Sequence, residues 1–155
     1  MEIKITFGVG EASTELAAFD KALFNAGIGN YNLIKLSSII PARSKIKIKK
    51  LNWNQKEFGY KLYVILSKNI EKEIGKEAWS GLGWIQDKTG KGIFVEHHGS
   101  SKKEVKDLIN KSLKNIKKYR KEKYGKIKYK IVGIKCKGKP VCALVSAVFK
   151  SENWE

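Results

Sequence analysis

Cysteine, proline and histidine are scarce in this sequence of 155 residues, which contains two of each. Cys136 and Cys142 are too few to cross-link a domain of this size, and alone they cannot form a four-ligand zinc site. His97 and His98 are adjacent in a predicted strand, so their side chains point to opposite faces and cannot bind one metal ion together. We therefore expect no metal site and a reducing, cytoplasmic environment.

Long apolar runs and the common cofactor-binding motifs are also absent. The mean hydropathy is −0.38, and no apolar run approaches the roughly 18–20 residues that a membrane-spanning helix needs. The first residues alternate as a strand does, without a basic region and an apolar block, so no signal peptide is predicted. There is no Walker phosphate loop, and the glycine pairs at 27–29 and 81–83 lack the rest of a dinucleotide fingerprint. No repeat or linker divides the chain, which predicts a single domain over residues 1–155.

Acidic residues are few beside the basic ones. The chain has 32 lysines and arginines against 15 acidic residues, a net charge of +17. Lys102 to Lys130 contains thirteen basic and three acidic residues, and Arg43 to Lys50 contains five more basic residues. Such a balance favours a polyanionic partner, although lysine is also common on solvated faces. A small basic nucleic-acid-binding protein is therefore one hypothesis, but no RNP-type motif with interleaved aromatic residues supports it.

The spacing of apolar residues predicts two helices among many strands. The first helix is capped by Ser13 or Thr14 and ends before Gly27. Ser101 and Glu104 form a capping-box pattern ahead of a second, lysine-rich amphipathic helix. Strands are predicted at Glu2–Val9, Asn30–Ser38, Lys45–Leu51, Phe58–Leu66, Ala78–Gln86, Gly92–His98, Ile127–Cys136 and Val141–Phe149. The last two are expected to form an antiparallel pair, in an α+β fold with mostly antiparallel strands and helices outside.

Three polar features interrupt these apolar segments. Asp20 lies near the buried edge of the first helix, and the pattern favours a carboxylate that is exposed or paired in the neighbourhood of Lys21 over one with a functional role. Glu96 lies in an apolar strand, where it is either partly buried and suited to proton donation or exposed at a sheet edge. Ser37 and Ser38 end a predicted strand, in which a period of two places Asn32 on the same face as Ser38.

Residues 16–41 resemble a known family of enzymes. The segment reads LAAFDKALFNAGIGNYNLIKLSSIIP: a helix with Phe-Asp, then Asn-Ala-Gly-Ile-Gly-Asn, Asn-Leu-Ile, and Ser-Ser-Ile before proline. This order is similar to that of the pyruvoyl-dependent arginine decarboxylases. The strand GIFVE at 92–96, the following SSKKE at 100–104 and the closing strand VCALVSAVF at 141–149 also resemble that family. His97 and His98 depart from it, since an aromatic and an acidic residue are expected there.

The resemblance implies a fold and a chemistry. The implied fold is a four-layer αββα sandwich, and the implied assembly is a homotrimer of cleaved protomers with sites between subunits. Self-cleavage between Ser37 and Ser38 would yield a β chain of residues 1–37 and an α chain of residues 38–155. Ser38 would become a covalent pyruvoyl cofactor, which forms a Schiff base with an amino acid and converts arginine to agmatine and CO2 in polyamine biosynthesis.

The same resemblance assigns roles to individual residues. It implies that Asp20 binds the substrate guanidinium, that Asn32 lies beside the pyruvoyl group and that Glu96 protonates the substrate Cα after CO2 leaves. Gly29 would let the backbone approach the ligand closely. The alternatives are an unprocessed, inactive relative and the small basic nucleic-acid-binding protein. Under the decarboxylase interpretation, nucleic acid would bind only through a non-specific basic surface.

Overall fold

The computed structural model describes residues 1–155 and contains two helices and nine strands in an α+β fold. The elements are β1 (Glu2–Glu11), α1 (Glu15–Asn25), β2 (Asn32–Lys35), β3 (Ile39–Ile40), β4 (Lys45–Ile48), β5 (Lys61–Glu71), β6 (Glu77–Gln86), β7 (Gly92–Gly99), α2 (Lys102–Tyr119), β8 (Lys128–Lys135) and β9 (Val141–Glu152). A short 3₁₀ turn, Gln55–Glu57, precedes β5. Neither α-helix is sufficiently long and apolar to cross a lipid bilayer.

The strands form two sheets with different pairing. Sheet A has the order β2-β5-β9-β1-β4 and is mixed, because β1 and β4 run parallel, as do β2 and β5. Sheet B has the order β3-β7-β6-β8 and is antiparallel. The predicted β6–β7 hairpin is confirmed, with residues 87–91 as its loop.

Local signals place both helices where the sequence predicts them. The Thr14 hydroxyl accepts a hydrogen bond from the Ala17 amide at 3.1 Å, which caps α1. Gly27 follows the C-cap of that helix with a φ of 78°, a left-handed conformation that favours glycine. At the start of α2, the Ser101 hydroxyl accepts from the Glu104 amide at 3.1 Å.

Two predictions of strand pairing and extent are wrong. β8 and β9 are not an antiparallel pair: β8 pairs with β6 in sheet B, whereas β9 lies between β5 and β1 in sheet A. Residues 141–148 are all buried, so β9 needs cover on both of its faces and occupies the centre of sheet A. The strand predicted at Asn30–Ser38 is also broken, because β2 ends at Lys35 and the chain re-enters a strand only at Ile39.

Three hydrophobic clusters show which elements pack together. Ala18 and Ala22 of α1 and its C-cap residue Ala26 pack on sheet A residues such as Leu62 and Leu144. A second cluster contains buried residues of both sheets: Ile3, Ile5, Ile65, Val145 and Ala147 from sheet A, and Ile40, Leu82, Trp84 and Phe94 from sheet B. In a third, Val105, Ile109 and Leu113 of α2 pack against Ile85 and Ile93.

Candidate active site

The Ser37–Ser38 pair forms the crossover between the two sheets. On one side, the Leu36 amide still donates to the Val64 carbonyl of sheet A at 2.8 Å. On the other side, the Ser38 carbonyl accepts from the Phe94 amide of sheet B at 2.8 Å. The peptide bond between the serines is therefore the point at which the chain leaves one sheet and enters the other.

Ser38 contacts the carboxylate of Glu96 at this crossover. The two-residue strand β3 pairs with β7 at Ile39 and Ile93, which sets the chain just before β3 alongside the middle of β7. The Ser38 hydroxyl donates to Glu96 Oε1 at 3.2 Å. β7 has no partner on its β3 side beyond this point, and Glu96 is exposed. Of the two alternatives left open for Glu96, the sheet edge is the one found.

The Ser37 carbonyl is polarised by a backbone donor. The Ile39 amide donates to that carbonyl oxygen at 2.9 Å, which closes a three-residue turn centred on Ser38. A hydrogen bond to a carbonyl oxygen stabilises the negative charge that develops when a nucleophile attacks the carbonyl carbon. The turn thus supplies a hydroxyl and a polarised carbonyl, and Glu96 of β7 supplies a carboxylate that can accept the hydroxyl proton.

Asn32 is not placed beside Ser38 by a shared strand face. It begins β2, and its side-chain amide donates to the Gly59 carbonyl at 2.8 Å. Because the strand breaks after Lys35, the alternation that linked the two residues in the sequence does not extend to Ser38. No hydrogen bond joins the Asn32 and Ser38 side chains. The same Gly59 carbonyl accepts from the Trp154 indole at 2.9 Å, a long-range brace that no sequence pattern indicated.

Asp20 and Gly29 lie on the segment that covers sheet A. The Asp20 carboxylate is exposed and makes no hydrogen bond or ion pair within the chain, because α1 turns its alanine face to the sheet. A Cβ atom at Gly29 would lie 2.9 Å from the Cα and N atoms of Phe24. The close approach of the loop to α1 therefore explains why residue 29 is glycine, without any contact to a ligand.

The two histidines after Glu96 differ in environment. His97 is half-buried, and its Nε2 lies 2.7 Å from the Ser112 hydroxyl of α2, whereas His98 is exposed. Burial lowers the pKa of His97, and the charge of His98 acts in the same direction. No group of three or more histidine, cysteine or acidic side chains is arranged to hold a metal ion.

Three cavities open on the single chain, with volumes of about 270, 410 and 480 Å³. Neither Ser38 nor Glu96 lines any of them. The 270 Å³ cavity borders the loop after α1, where Tyr31 donates to Glu57 at 2.6 Å. Burial and this hydrogen bond raise the pKa of Tyr31 to about 12. Ser38 is half-buried and Glu96 is exposed, so the pair is accessible to solvent in the single chain.

The sequence profile of the family described as pyruvoyl-dependent arginine decarboxylase matches residues 2–153. The chain belongs to that family. Among its relatives, the pyruvoyl-dependent arginine decarboxylase of Thermococcus kodakarensis is 30% identical over 145 residues, and that of Pyrococcus abyssi is 33% identical over 146 residues. Both matches cover 89% of this chain and 87% of the relative.

Other members of the pyruvoyl-dependent arginine decarboxylase family match over a shorter span. The Thermoplasma volcanium relative is 34% identical over 99 residues, which is 63% of this chain. The match spans 54% of that relative and 54% of the one from Picrophilus torridus, about half of the length of each. Family membership therefore rests on the whole-length profile and on the Thermococcus and Pyrococcus relatives.

Proposed function

We propose that this chain cleaves itself between Ser37 and Ser38 and then decarboxylates arginine to agmatine with a pyruvoyl group derived from Ser38. The observation that carries the proposal is the Ser38 hydroxyl 3.2 Å from Glu96, at the crossover between the sheets. Membership in the pyruvoyl-dependent arginine decarboxylase family supports the same chemistry.

The cleavage step uses groups of the turn together with Glu96 of β7. The Ser38 Oγ attacks the Ser37 carbonyl carbon, Glu96 accepts the hydroxyl proton, and the Ile39 amide stabilises the oxyanion. The C–N bond between the serines then breaks as the proton accepted by Glu96 passes to the Ser38 nitrogen, which leaves an ester and a free amine. Loss of the Ser38 Cα proton then breaks the Cβ–O bond, which releases Ser37 as a carboxylate and leaves dehydroalanine at 38. Addition of water and loss of ammonia give the pyruvoyl group.

The two products are expected to stay together. Residues 1–37 include β1, which pairs with β9 at eight positions, and β2, which pairs with β5 at four. Ala18 and Ala22 of α1 and Ile3 and Ile5 of β1 are fully buried in clusters with the rest of the chain. We infer a four-layer αββα sandwich, since α1 packs on sheet A, the sheets share a cluster and α2 packs on sheet B.

The residues around Ser38 fit a pyruvoyl group. Its carbonyl supplies an electron sink for the carbanion that forms when an amino acid loses CO2, which no ordinary side chain supplies. Within this site, the Glu96 carboxyl group lies 3.2 Å from the Ser38 hydroxyl, so it is positioned to deliver a proton to the substrate Cα. The Phe94 amide fixes the carbonyl of position 38, so the reacting group is held on sheet B before and after cleavage.

Substrate selection is assigned to Asp20. A carboxylate can pair with a planar guanidinium through two parallel hydrogen bonds, and the Asp20 carboxylate has no partner within the chain. In a chain of net charge +17 a cationic substrate needs such a local acceptor. Asp20 lies on α1, Asn32 lies on β2, and Ser38 borders no cavity of the single chain. We therefore infer that a neighbouring subunit completes the site, in the homotrimer that the family resemblance implies.

An assay of arginine decarboxylation tests this function. Purified, processed protein is incubated with arginine, lysine or ornithine, and CO2 and the amine product are measured. We expect agmatine from arginine, little product from lysine or ornithine, and none from the Ser38→Ala variant. Processed protein that leaves arginine unchanged would contradict the proposed substrate. Preferential release of CO2 from another amino acid would retain the chemistry and overturn the arginine assignment.

A further inference from the structure

A basic cavity lies away from the serine pair, between two loops of the chain. It has a volume of about 480 Å³ and is lined by residues 43–46, by the β6–β7 hairpin at residues 86–90 and by Lys128. Only one lining residue, Ile46, is hydrophobic, and no aromatic ring faces the cavity. The lining offers almost no apolar surface to a ligand, so a ligand would be held by polar and charged groups.

The cavity lining carries an excess of positive charge, with four cationic side chains and one carboxylate. Four cationic side chains line it, Arg43, Lys45, Lys88 and Lys128, and none of them belongs to any of the five ion pairs of the structure. Asp87 is the one carboxylate in the lining. Its Oδ1 accepts from the Thr89 amide at 2.8 Å and from the Thr89 hydroxyl at 2.6 Å. These bonds hold the pKa of Asp87 below its usual value.

The two loops are fixed to each other by hydrogen bonds. The Arg43 amide donates to the Thr89 carbonyl at 2.8 Å. The Gln86 side chain donates to the Ser44 carbonyl at 2.9 Å and to the Gly90 carbonyl at 2.8 Å. A preformed cavity of this kind loses little conformational entropy when a ligand binds.

Arg43 adopts a backbone conformation that L-residues rarely adopt. Its φ is 63°, and it is the sole residue other than glycine with a positive φ. Such conformations cost stability and are concentrated at binding and active sites. Glycine or asparagine would fit this backbone conformation better than arginine does, and Arg43 is one of the residues that line the cavity.

We propose that this cavity binds the phosphate groups of a multiply charged ligand. Phosphate oxygens match the donor fork of arginine and the compact charge of lysine. A ligand with several linked phosphate groups, such as a polyphosphate, carries enough negative charge within this volume to neutralise the four cationic side chains. The phosphates could belong to a free ligand or to an RNA backbone that continues along the neighbouring lysines of β8. With no ring in the lining, recognition of a base has no support.

Calorimetric titration of the full chain with sodium tripolyphosphate at 0.15 M salt tests the proposal. We expect saturable binding that weakens by about tenfold or more in Lys88→Gln/Lys128→Gln, because two charge-assisted contacts are lost. The matched control is Lys111→Gln/Lys114→Gln, which removes the same charge from exposed positions of α2 and should change binding less than about twofold. No saturable binding, or equal weakening in both variants, would overturn the site.

Arg43→Asn separates binding from folding. Asparagine tolerates the left-handed conformation, so the melting temperature should stay the same or rise while tripolyphosphate binding weakens. Unchanged binding in a folded Arg43→Asn chain would contradict the use assigned to the guanidinium. Ser38→Ala should bind tripolyphosphate as the wild type does, so this result stands apart from the decarboxylase assay.

A single-stranded RNA oligonucleotide distinguishes the two sources of phosphate. If the backbone of RNA is the ligand, Lys88→Gln/Lys128→Gln weakens RNA binding and tripolyphosphate competes with RNA. If a free polyphosphate is the ligand, tripolyphosphate still binds at the cavity. RNA binding is then weakened as much by Lys111→Gln/Lys114→Gln as by Lys88→Gln/Lys128→Gln, as expected for non-specific attraction.

Discussion

The Ser38 hydroxyl lies 3.2 Å from the Glu96 carboxylate although 58 residues separate them in the chain. The contact depends on the two-residue strand β3, which pairs with β7 immediately after the crossover. Cleavage at this point would separate two segments that are each anchored in their own sheet. The geometry therefore accounts for how one peptide bond could break while the fold persists.

Replacement of Glu96 tests its two assigned roles. Glu96→Gln keeps the size of the side chain but removes the proton acceptor and donor, so cleavage should slow and turnover should fall by about 10²–10⁴-fold. Denaturing electrophoresis follows cleavage, and agmatine release from the cleaved fraction gives turnover. Glu77→Gln, on the neighbouring strand β6, is the matched control. Wild-type turnover in cleaved Glu96→Gln would remove Glu96 from the mechanism.

Replacement of Asp20 tests substrate recognition. Asp20→Asn keeps the shape of the side chain and removes the charge, so KM for arginine should rise by roughly 30-fold or more, the equivalent of about 2 kcal/mol or more. Self-cleavage should change little. Glu15→Gln, an exposed carboxylate on the same helix, should leave KM near the wild-type value. An unchanged KM in Asp20→Asn would make Asp20 an ordinary surface carboxylate.

Two adjacent isoleucines of β3 differ sharply in burial and form a matched pair. Ile40 is 1% exposed in the cluster between the sheets, whereas Ile39 is 50% exposed. In an uncleaved Ser38→Ala background, Ile40→Ala should lower the free energy of unfolding by about 2–5 kcal/mol, and Ile39→Ala by less than about 1 kcal/mol. Denaturant unfolding measures both. Equal losses would mean that β3 is not anchored through Ile40.

His97 should make stability depend on pH. Burial lowers the pKa of the His97 imidazole in the folded chain. In the unfolded chain the imidazole is protonated near the usual histidine pKa of about 6.5, so the unfolded state binds the proton more readily. The His97 contribution is fully present above that pH and is lost as pH falls below it. Melting temperatures of uncleaved protein between pH 8 and 5 should fall more steeply than those of His97→Gln. His98→Gln should keep most of the steeper slope, because burial is the larger cause of the lowered His97 pKa and the charge of His98 the smaller one. A slope unaffected by His97→Gln would contradict this assignment.

Local elements were predictable because their signals are local. The cap of α1 at Thr14, its end before Gly27 and the hairpin after Gln86 depend on side chains and backbone within a few residues. The interruption of the strand before Ile39 was missed because a period of two was extended across Ser37 and Ser38, where the chain changes sheets.

Pairing across the chain was predicted less well. The short segment before Val141 favours a hairpin, yet the continuous burial of residues 141–148 requires a central strand, which is why β9 leaves β8. The resemblance assigned roles to Ser38 and to Glu96, but no local pattern could show that the two side chains lie within hydrogen-bond distance of each other. The hydrogen bonds that the Asn32 amide and the Trp154 indole donate to the Gly59 carbonyl likewise depend on tertiary packing.

The mass of the denatured protein tests the central proposal, self-cleavage between Ser37 and Ser38, most directly. With 17.5 kDa spread over 155 residues, residues 1–37 account for about 4 kDa and residues 38–155 for about 13 kDa. We predict two such fragments, the larger beginning with a pyruvoyl group at position 38, and a single uncleaved chain in Ser38→Ala. A wild-type chain that remains whole and still decarboxylates arginine would contradict the account.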